Sequence, residues 1–497
     1  MKILLINPPL TVFKGGTNPR IHLPLGLLSI AAQLERKGYE VQIFDALISA
    51  KLTKNNPSQW HFGESWEQIS NTIRSIKPNV VGITSIFSSQ SKNAKIVASL
   101  AKEVDKEIVT VVGGAHPSAN PHDMLNDKNI DFVVIGEGEY LFLSLLDALR
   151  GQLDINSIHG LCSHNRGIKI ENFIPEKINN LDELSFPAYH LYDMERYFFL
   201  QNRGFSARKV AKGKREVSIV TSRGCPYNCV FCCIHSVMGR VWRFHSAEYV
   251  LGHIEYLKEN YKIDFIHFED DNFSLSRQRF EAILNGFSAR KISIKWEVAN
   301  GLRADDLDET LIKKAIDNGC HNIQIAVESG VQRVLSEVIE KKLSLSSVLN
   351  VAKICKKLDI QLYGYYVIGI PGETLEDIKQ TLLFAKKMLL AYFMIPKISL
   401  AAPIWGSRLY DICKDKGYLV KDITPERLGI AYDPQGKGLI KTDEFSPDDL
   451  KKALSRYNKL FIIIIIINAL RSPRKFILYF SILMRNKFLF RQLFLNR

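Results

Sequence analysis

The 497-residue chain is 46% apolar and 24% charged, a globular composition that excludes collagenous, low-complexity or disordered chains. At roughly 100 to 200 residues per domain it has room for two or three domains. The net charge of +14 sits at the end: eleven Lys and Arg residues and no acid follow Leu450, which leaves +3 for residues 1–449 and gives no reason to expect a nucleic-acid partner.

The opening stretch MKILLINPPL has too short an apolar run for a signal peptide and reads as a first strand over residues 2–6. An amphipathic helix from about Leu25 to Lys37 stops at Gly38, and a strand at 40–46 and a polar connection follow. A helix around Trp66 to Ile76, a strand at 79–85, a helix at about 91–104 and strands at 108–114 and 131–139 complete the first third. Strands alternating with helices of this length predict a parallel, doubly wound α/β sheet, whose ligands bind at the carboxyl ends of the strands. Turn and polar residues gather there: Asn7 and Pro8, Thr84 and Ser85, Gly113, Gly114 and His116, Gly136 and Glu137. Ordinary loop punctuation would leave a similar pattern. No G-x-G-x-x-G follows the first strand, which disfavours a dinucleotide.

Residues 151–210 read as a linker, and residues 211–420 as a second domain with strands at 217–221, 265–268, 295–299, 322–327, 362–368 and 397–400. These six β/α units have polar or glycine residues at their carboxyl ends, where barrel chemistry belongs. Directly after the first of these strands comes RGCPYNCVFCC, with Cys225, Cys229 and Cys232 in a C-x3-C-x2-C array. Four-iron clusters are normally held by four thiolates, so three cysteines on one loop imply a cluster with one iron left open. A zinc site completed by Cys233 or His235, or reduced core cysteines, are the alternatives. The other cysteines, Cys162, Cys320, Cys355 and Cys413, are scattered and suggest no disulfide framework, so a reducing cytoplasmic setting is expected.

The cysteine array, with Phe231 before its third member, resembles the signature of the radical S-adenosylmethionine (SAM) superfamily. The resemblance implies a partial (β/α)6 barrel, Cys225, Cys229 and Cys232 as ligands of a 4Fe-4S cluster, and SAM chelating the open iron to yield a 5′-deoxyadenosyl radical. It also implies SAM contacts at Glu269 and Asp270, at Arg303, at Glu328 and Ser329, and at Gly369 and Gly372 in YVIGIPGET. Helix capping by the acidic segment after the second strand, or an ordinary salt bridge for Arg303, are the structural alternatives. The set PLGLLSIAAQLERKGYEV, VVGITS, VVGGAHPSANP and DFVVIGEGE resembles the cobalamin-binding domain fused to one class of these enzymes, and implies a Rossmann-like cobalamin domain over residues 1–150. The D-x-H-x-x-G motif is absent, so neither His116 nor His122 is expected to ligate cobalt. The activity implied is methylation of an unactivated carbon. Radical cyclisation, oxidation or rearrangement, or a non-catalytic cobalamin or iron–sulfur sensor, are the rivals. An external reductant such as flavodoxin or ferredoxin is implied as partner.

Residues 421–497 are expected to be a basic, apolar, helical C-terminal region. The run LFIIIIIINAL at 460–470 is too short to span a bilayer, which takes about 20 apolar residues. It suits either an interfacial helix on anionic lipid at the inner face of the membrane or a helix packed on the barrel. The apolar, basic tail makes a lipid or other membrane-soluble substrate attractive, beside a small molecule.

Overall fold

The computed structural model describes residues 1–13, 19–165, 169–206, 208, 214–431 and 438–471. In its amino-terminal part five strands run parallel in the spatial order Glu40–Asp45, Lys2–Asn7, Val80–Thr84, Val109–Gly113 and Phe132–Val134. The order reverses beside Lys2–Asn7, which makes the ends of that strand and of Val80–Thr84 the topological switch point, where such sheets bind ligands. Helices on both faces cover two buried apolar layers. Local signals set their limits. Ser65 caps the helix Trp66–Ile76 by accepting from the Gln68 amide, and Lys77 ends it in the left-handed region.

The segment expected as a linker does more than connect. Leu161–Ser163 and Ile170–Glu171 add two antiparallel strands to the edge of this sheet, and Met194–Leu200 is helical. A second unexpected feature is a small antiparallel sheet of Leu10–Phe13, Gln59–Phe62 and Leu52–Asn56, formed in the polar connection.

The second part carries all six expected parallel strands in two sets of three. Glu216–Ile219, Phe265–Phe268 and Lys295–Val298 form one, and Asn322–Glu328, Gln361–Ile368 and Ile395–Leu400 the other. Single bridges Trp296 to Cys320 and Leu302 to Ile325 join the sets into one partial barrel. Its outer layer is apolar, with Trp296, Phe268, Phe273 and Phe280 fully buried.

The helix Pro447–Arg471 settles the first half of the tail. Phe461, Ile462, Ile464 and Ile465 are buried, and Asn468 donates to the Leu389 carbonyl at 2.8 Å on the barrel helix Leu375–Tyr392. Leu460, Ile463, Ile466 and Ile467 remain exposed on the other side. No described helix is long and apolar enough to cross a membrane. The second apolar run, KFILYFSILM, lies outside the described residues.

Candidate functional site

The loop carrying Cys225, Cys229 and Cys232 is pinned at both ends. Gly224 has φ +83°, and a Cβ there would lie 2.4 Å from the Val241 carbonyl oxygen, so only glycine fits the turn that leads into Cys225. Its amide donates to Asp271 at 2.9 Å. Farther on, Val230 donates to the Ile339 carbonyl and accepts from the Leu409 amide, while Asn228 donates to Glu340, itself held by both arms of Arg408. His235 hydrogen-bonds the Cys225 carbonyl at 3.0 Å, which occupies it as a loop brace.

All eight cysteines are free thiols, and the three in question are partly accessible. Burial pushes the thiols of Cys225 and Cys229 up, and that of Cys232 to about 12, so metal uptake must displace their protons. Among the described residues no three His, Cys, Asp or Glu side chains converge tightly enough to hold a single ion. A four-iron cluster asks for something different, one thiolate on each of three separate irons. The donor set, three accessible thiols on one braced loop, fits that group.

The acidic segment after the second barrel strand is arranged differently from what the sequence suggests. Asp270 is fully buried: it accepts from the Thr221 amide and hydroxyl and from Ser222, and so fastens the turn before the cluster loop rather than facing a ligand. Glu269 faces the barrel interior, where Arg208 grips both its oxygens and Ser218 donates at 3.0 Å. The helix cap is supplied by Ser276, not by the acidic segment. Arg303 lies with its guanidinium 3.7 Å from the centre of the Tyr227 ring, inside the cluster loop, and bonds Asp305 at 3.1 and 2.6 Å. Glu328 is a buried ion-pair partner of Lys341 at 2.9 Å, close to Cys229. Ser329 is fully buried against Thr381. Gly369 and Gly372 both have positive φ, +87° and +103°, and a Cβ on them would meet Leu450 and Val338. Directly after Gly372, Glu373 is fully buried, accepts from the Gly369 and Ile370 amides, and is pushed up to about 7 by desolvation.

Facing the cluster loop, a mainly apolar cavity of about 300 Å³ opens at the switch point of the sheet. Of the expected ligand contacts, Thr84, Gly113, Gly114, Gly136 and Glu137 line it, along with Leu25, Ile86 and Phe142. Across from them the wall is Val220, Arg223, Val237 and Met238, the residues on either side of the cysteines. Beside the cavity the Ser85 hydroxyl is buried and has no partner, an orphaned polar atom of the kind a bound ligand satisfies. An apolar wedge with glycine strand ends and one waiting hydroxyl fits the buried part of a large cofactor such as cobalamin.

Asn7 does not face the cavity: it donates to Asp45 at 2.8 Å, and Pro8 is buried beside it. His116 does not either. Its two ring nitrogens are taken by Ser88 and Asp123, both at 2.9 Å, so it has no free nitrogen for cobalt. Although burial opposes it, the His116 and Lys95 contacts hold the Asp123 carboxyl down at about 2. Glu137 lines the cavity but is also ion-paired to Arg223 and Arg243 of the barrel part, with Glu139 on Arg223 as well. Sequence reasoning missed these arginines. The signal was available only as two acids at one strand end and two bases around one loop.

Comparison with known proteins accords with this geometry. Residues 15–146 match the B12 binding domain and residues 219–385 the Radical SAM superfamily. The chain is 32% identical over 449 residues to cytidylyl-2-hydroxyethylphosphonate methyltransferase of Streptomyces wedmorensis, covering 84% of this chain and 82% of the relative. It is 33% identical over 417 residues to an uncharacterized methyltransferase of Pyrococcus horikoshii, covering 83% of each. Among solved structures, the cobalamin-dependent SAM radical enzyme OxsB, with aqua-cobalamin and SAM bound, has a TM-score of 0.71 at 16% identity over 97% of this chain and 70% of its own. The radical SAM methyltransferase TsrM of Kitasatospora setae has a TM-score of 0.66 at 16% identity, over 93% of this chain and 89% of its own. With its cysteine loop facing a switch-point cavity, and both domains matched in order, the chain belongs to the cobalamin-binding radical SAM enzymes.

Proposed function

We propose that the protein is a radical SAM methyltransferase that places a methyl group on an unactivated carbon of a small molecule, using a 4Fe-4S cluster, SAM and cobalamin. The observation that carries this reading is the shared wall: residues flanking the cysteines and residues at the sheet's strand ends line one cavity. Two cofactors bound on its two sides would meet over one substrate. When bound, the cluster supplies the electron that cleaves SAM and the cobalamin supplies the methyl group. In this reading Cys225, Cys229 and Cys232 hold three irons, Arg303 and the Lys341–Glu328 pair supply charge beside them, and Thr84, Ser85, Gly113, Gly114 and Gly136 receive the cobalamin. The relatives with the strongest coverage are methyltransferases, which supports methyl transfer over the rivals. A cyclase of Rubrivivax gelatinosus, 24% identical, keeps ring formation as the second reading.

An external one-electron donor, flavodoxin or ferredoxin, would reduce the cluster in the cytoplasm. A peripheral membrane contact is a finer part of the proposal, supported by the exposed Leu460, Ile463 and Ile467 and the basic residues around them. Sedimentation with phosphatidylglycerol vesicles tests it.

The deciding experiment is anaerobic reconstitution with iron, sulfide and hydroxocobalamin, followed by reduction in the presence of SAM. Bound cobalamin together with release of 5′-deoxyadenosine and S-adenosylhomocysteine is the expected result. 5′-Deoxyadenosine without S-adenosylhomocysteine would move the assignment to cyclisation or oxidation. Absence of SAM cleavage would move it to a sensor.

A further inference from the structure

The concave face of the barrel is polar where a packed barrel would be aliphatic. Alternation along the strands turns Gln324, Tyr363, Tyr365, Lys397 and Ser399 inward, with Tyr365 directly paired to Lys397. Most of the charge on this face is already matched. Deepest, His267 bonds Glu216 at 2.8 Å and Glu297 at 2.9 Å, and Asn322 donates to Glu297 at 2.5 Å. Near the strand ends Arg208 holds Glu269.

Lys397 lies between these two groups, feels the charges of Glu297 and Arg208, and among the described residues hydrogen-bonds only to neutral groups. Its ammonium donates to the Gln324 side-chain oxygen at 2.9 Å and to the Tyr365 hydroxyl at 3.1 Å. The rings of Tyr363 and Tyr365 stand 4.8 and 4.7 Å from it. An ammonium has three N–H donors, so one remains for an acceptor on the accessible side. The Glu297 carboxylate acts on this ammonium only from beyond ion-pair range, so the direct anionic contact on its open side is left for an arriving anion to supply.

We propose that Lys397, with the Tyr365 hydroxyl beside it, is the binding point for an oxyanion of the substrate, a phosphate, phosphonate or carboxylate. The proposal rests on the barrel interior being the substrate chamber and names the class of substrate it takes. A wholly apolar substrate would leave Lys397 unanswered. An anionic headgroup on a lipid and a free small molecule share this chemistry, and the test separates them.

The probe is pyridoxal 5′-phosphate on the cluster- and cobalamin-loaded protein. Its aldehyde condenses with an accessible amine, water leaves, and borohydride traps the imine for peptide mapping. Lys397 is expected to be labelled about tenfold faster than the exposed Lys54, because desolvation and the nearby Arg208 charge hold its amine below the ordinary lysine value and leave more of the reactive neutral form. Methylphosphonate or acetate protecting Lys397, but not Lys54, supports a soluble anionic substrate. Protection by phosphatidylglycerol vesicles alone supports a lipid headgroup. Labelling no faster than at Lys54, or the absence of protection by any of the three, overturns the proposal.

A second measurement does not depend on amine reactivity. The phosphorus resonance of methylphosphonate is expected to broaden with wild type and with Lys397→Arg. With Lys397→Met the affinity should fall about tenfold or more, the cost of one charge-assisted bond. Equal broadening with Lys397→Met also overturns the proposal. Release of 5′-deoxyadenosine by the wild-type sample is read in parallel, so failure of the anion site and failure of the methyltransferase reading are told apart.

Discussion

Arg243 donates from one nitrogen to both oxygens of Glu137, at 2.9 and 2.7 Å, across the junction between the sheet and the barrel. Glu137 sits between the last parallel strand, Phe132–Val134, and the helix Gly138–Leu149. Arg243 lies on the short strand Arg243–Phe244 that pairs with Ser222–Arg223, the residues just before the cluster loop. Both side chains are buried, so this pair sets the distance between the two walls of the cavity. Arg223 reinforces it through Glu137 and Glu139.

Removing one partner of a buried pair leaves the other charge uncompensated, at a cost of about 3 to 5 kcal/mol. Glu137→Gln is therefore expected to lower the unfolding free energy by about 3 kcal/mol and to weaken cobalamin retention. Glu376→Gln, in an exposed helical pair, is the control and should change neither. Denaturant unfolding and bound cobalt per chain are the measurements. Unchanged cobalamin retention in Glu137→Gln would show that the cavity does not depend on this clamp.

The cluster and the cavity are built from different elements, so their cofactors should be separable. Cys225→Ser, Cys229→Ser or Cys232→Ser is expected to abolish iron incorporation and 5′-deoxyadenosine release while cobalamin still binds. Cys233→Ser should keep its iron, since three thiols suffice for a cluster with one open iron. Iron, sulfide and cobalt analysis on each variant decides this. Loss of iron in Cys233→Ser would reassign the ligand set.

His116 offers a sharper test of the cobalamin side. With both nitrogens engaged by Ser88 and Asp123, it is not available to the metal. The electron paramagnetic resonance spectrum of bound cob(II)alamin should then be identical in wild type and His116→Asn. Loss of nitrogen splitting in the variant would mean that the loop opens to release His116.

The fold was largely legible because its strands are strongly periodic: all eleven expected strands form within a few residues of their expected ends. What escaped was short or locally ambiguous. Leu161–Ser163 and Ile170–Glu171 have three and two residues, too few for a period to register. Leu52–Asn56 is exposed at every position and carries no apolar alternation. At the site, side-chain direction is what the sequence does not show. Asp270 and Glu269 are neighbours on a strand end, so their side chains leave on opposite faces, one into the protein and one into the barrel. Glu137 depends on Arg223 and Arg243, 86 and 106 residues away, and Lys397 on Tyr365 and Gln324, 32 and 73 residues away, which no local pattern encodes.

The C-terminal helix gives a prediction from two neighbouring isoleucines. Ile465 is fully buried against the barrel and Ile463 is 53% exposed. Ile465→Ala should cost about 2 to 4 kcal/mol through lost transfer energy and the cavity left behind. Ile463→Ala should stay within about 0.5 kcal/mol. Equal small effects would mean that the helix is not part of the barrel's cooperative core.

Glu373 is fully buried and Lys397 stands partly open beside two tyrosine rings, and their pH effects have opposite signs. The Glu373 carboxyl is held at about 7, above its ordinary value, so its contribution to stability is fully present below the usual carboxylate range and is lost as pH rises through about 7. Glu373→Gln keeps an oxygen for the Gly369 and Ile370 amides and removes the charge, so the variant should gain stability over wild type at pH 9 but not at pH 4. Lys397 is held at about 8, mainly by desolvation, with Glu297 opposing and Arg208 adding to the shift. Its penalty is fully present below about 8 and is relieved as pH rises toward the ordinary lysine value, because in that window the unfolded chain binds more protons than the folded one. Anion binding at Lys397 runs the other way, since only the ammonium attracts an oxyanion. Protection of Lys397 by methylphosphonate should therefore weaken as pH rises through about 8, while its unprotected labelling accelerates over the same interval. A midpoint near the ordinary lysine value for both would mean that the tyrosine walls do not desolvate the amine, and that the charge is screened by solvent.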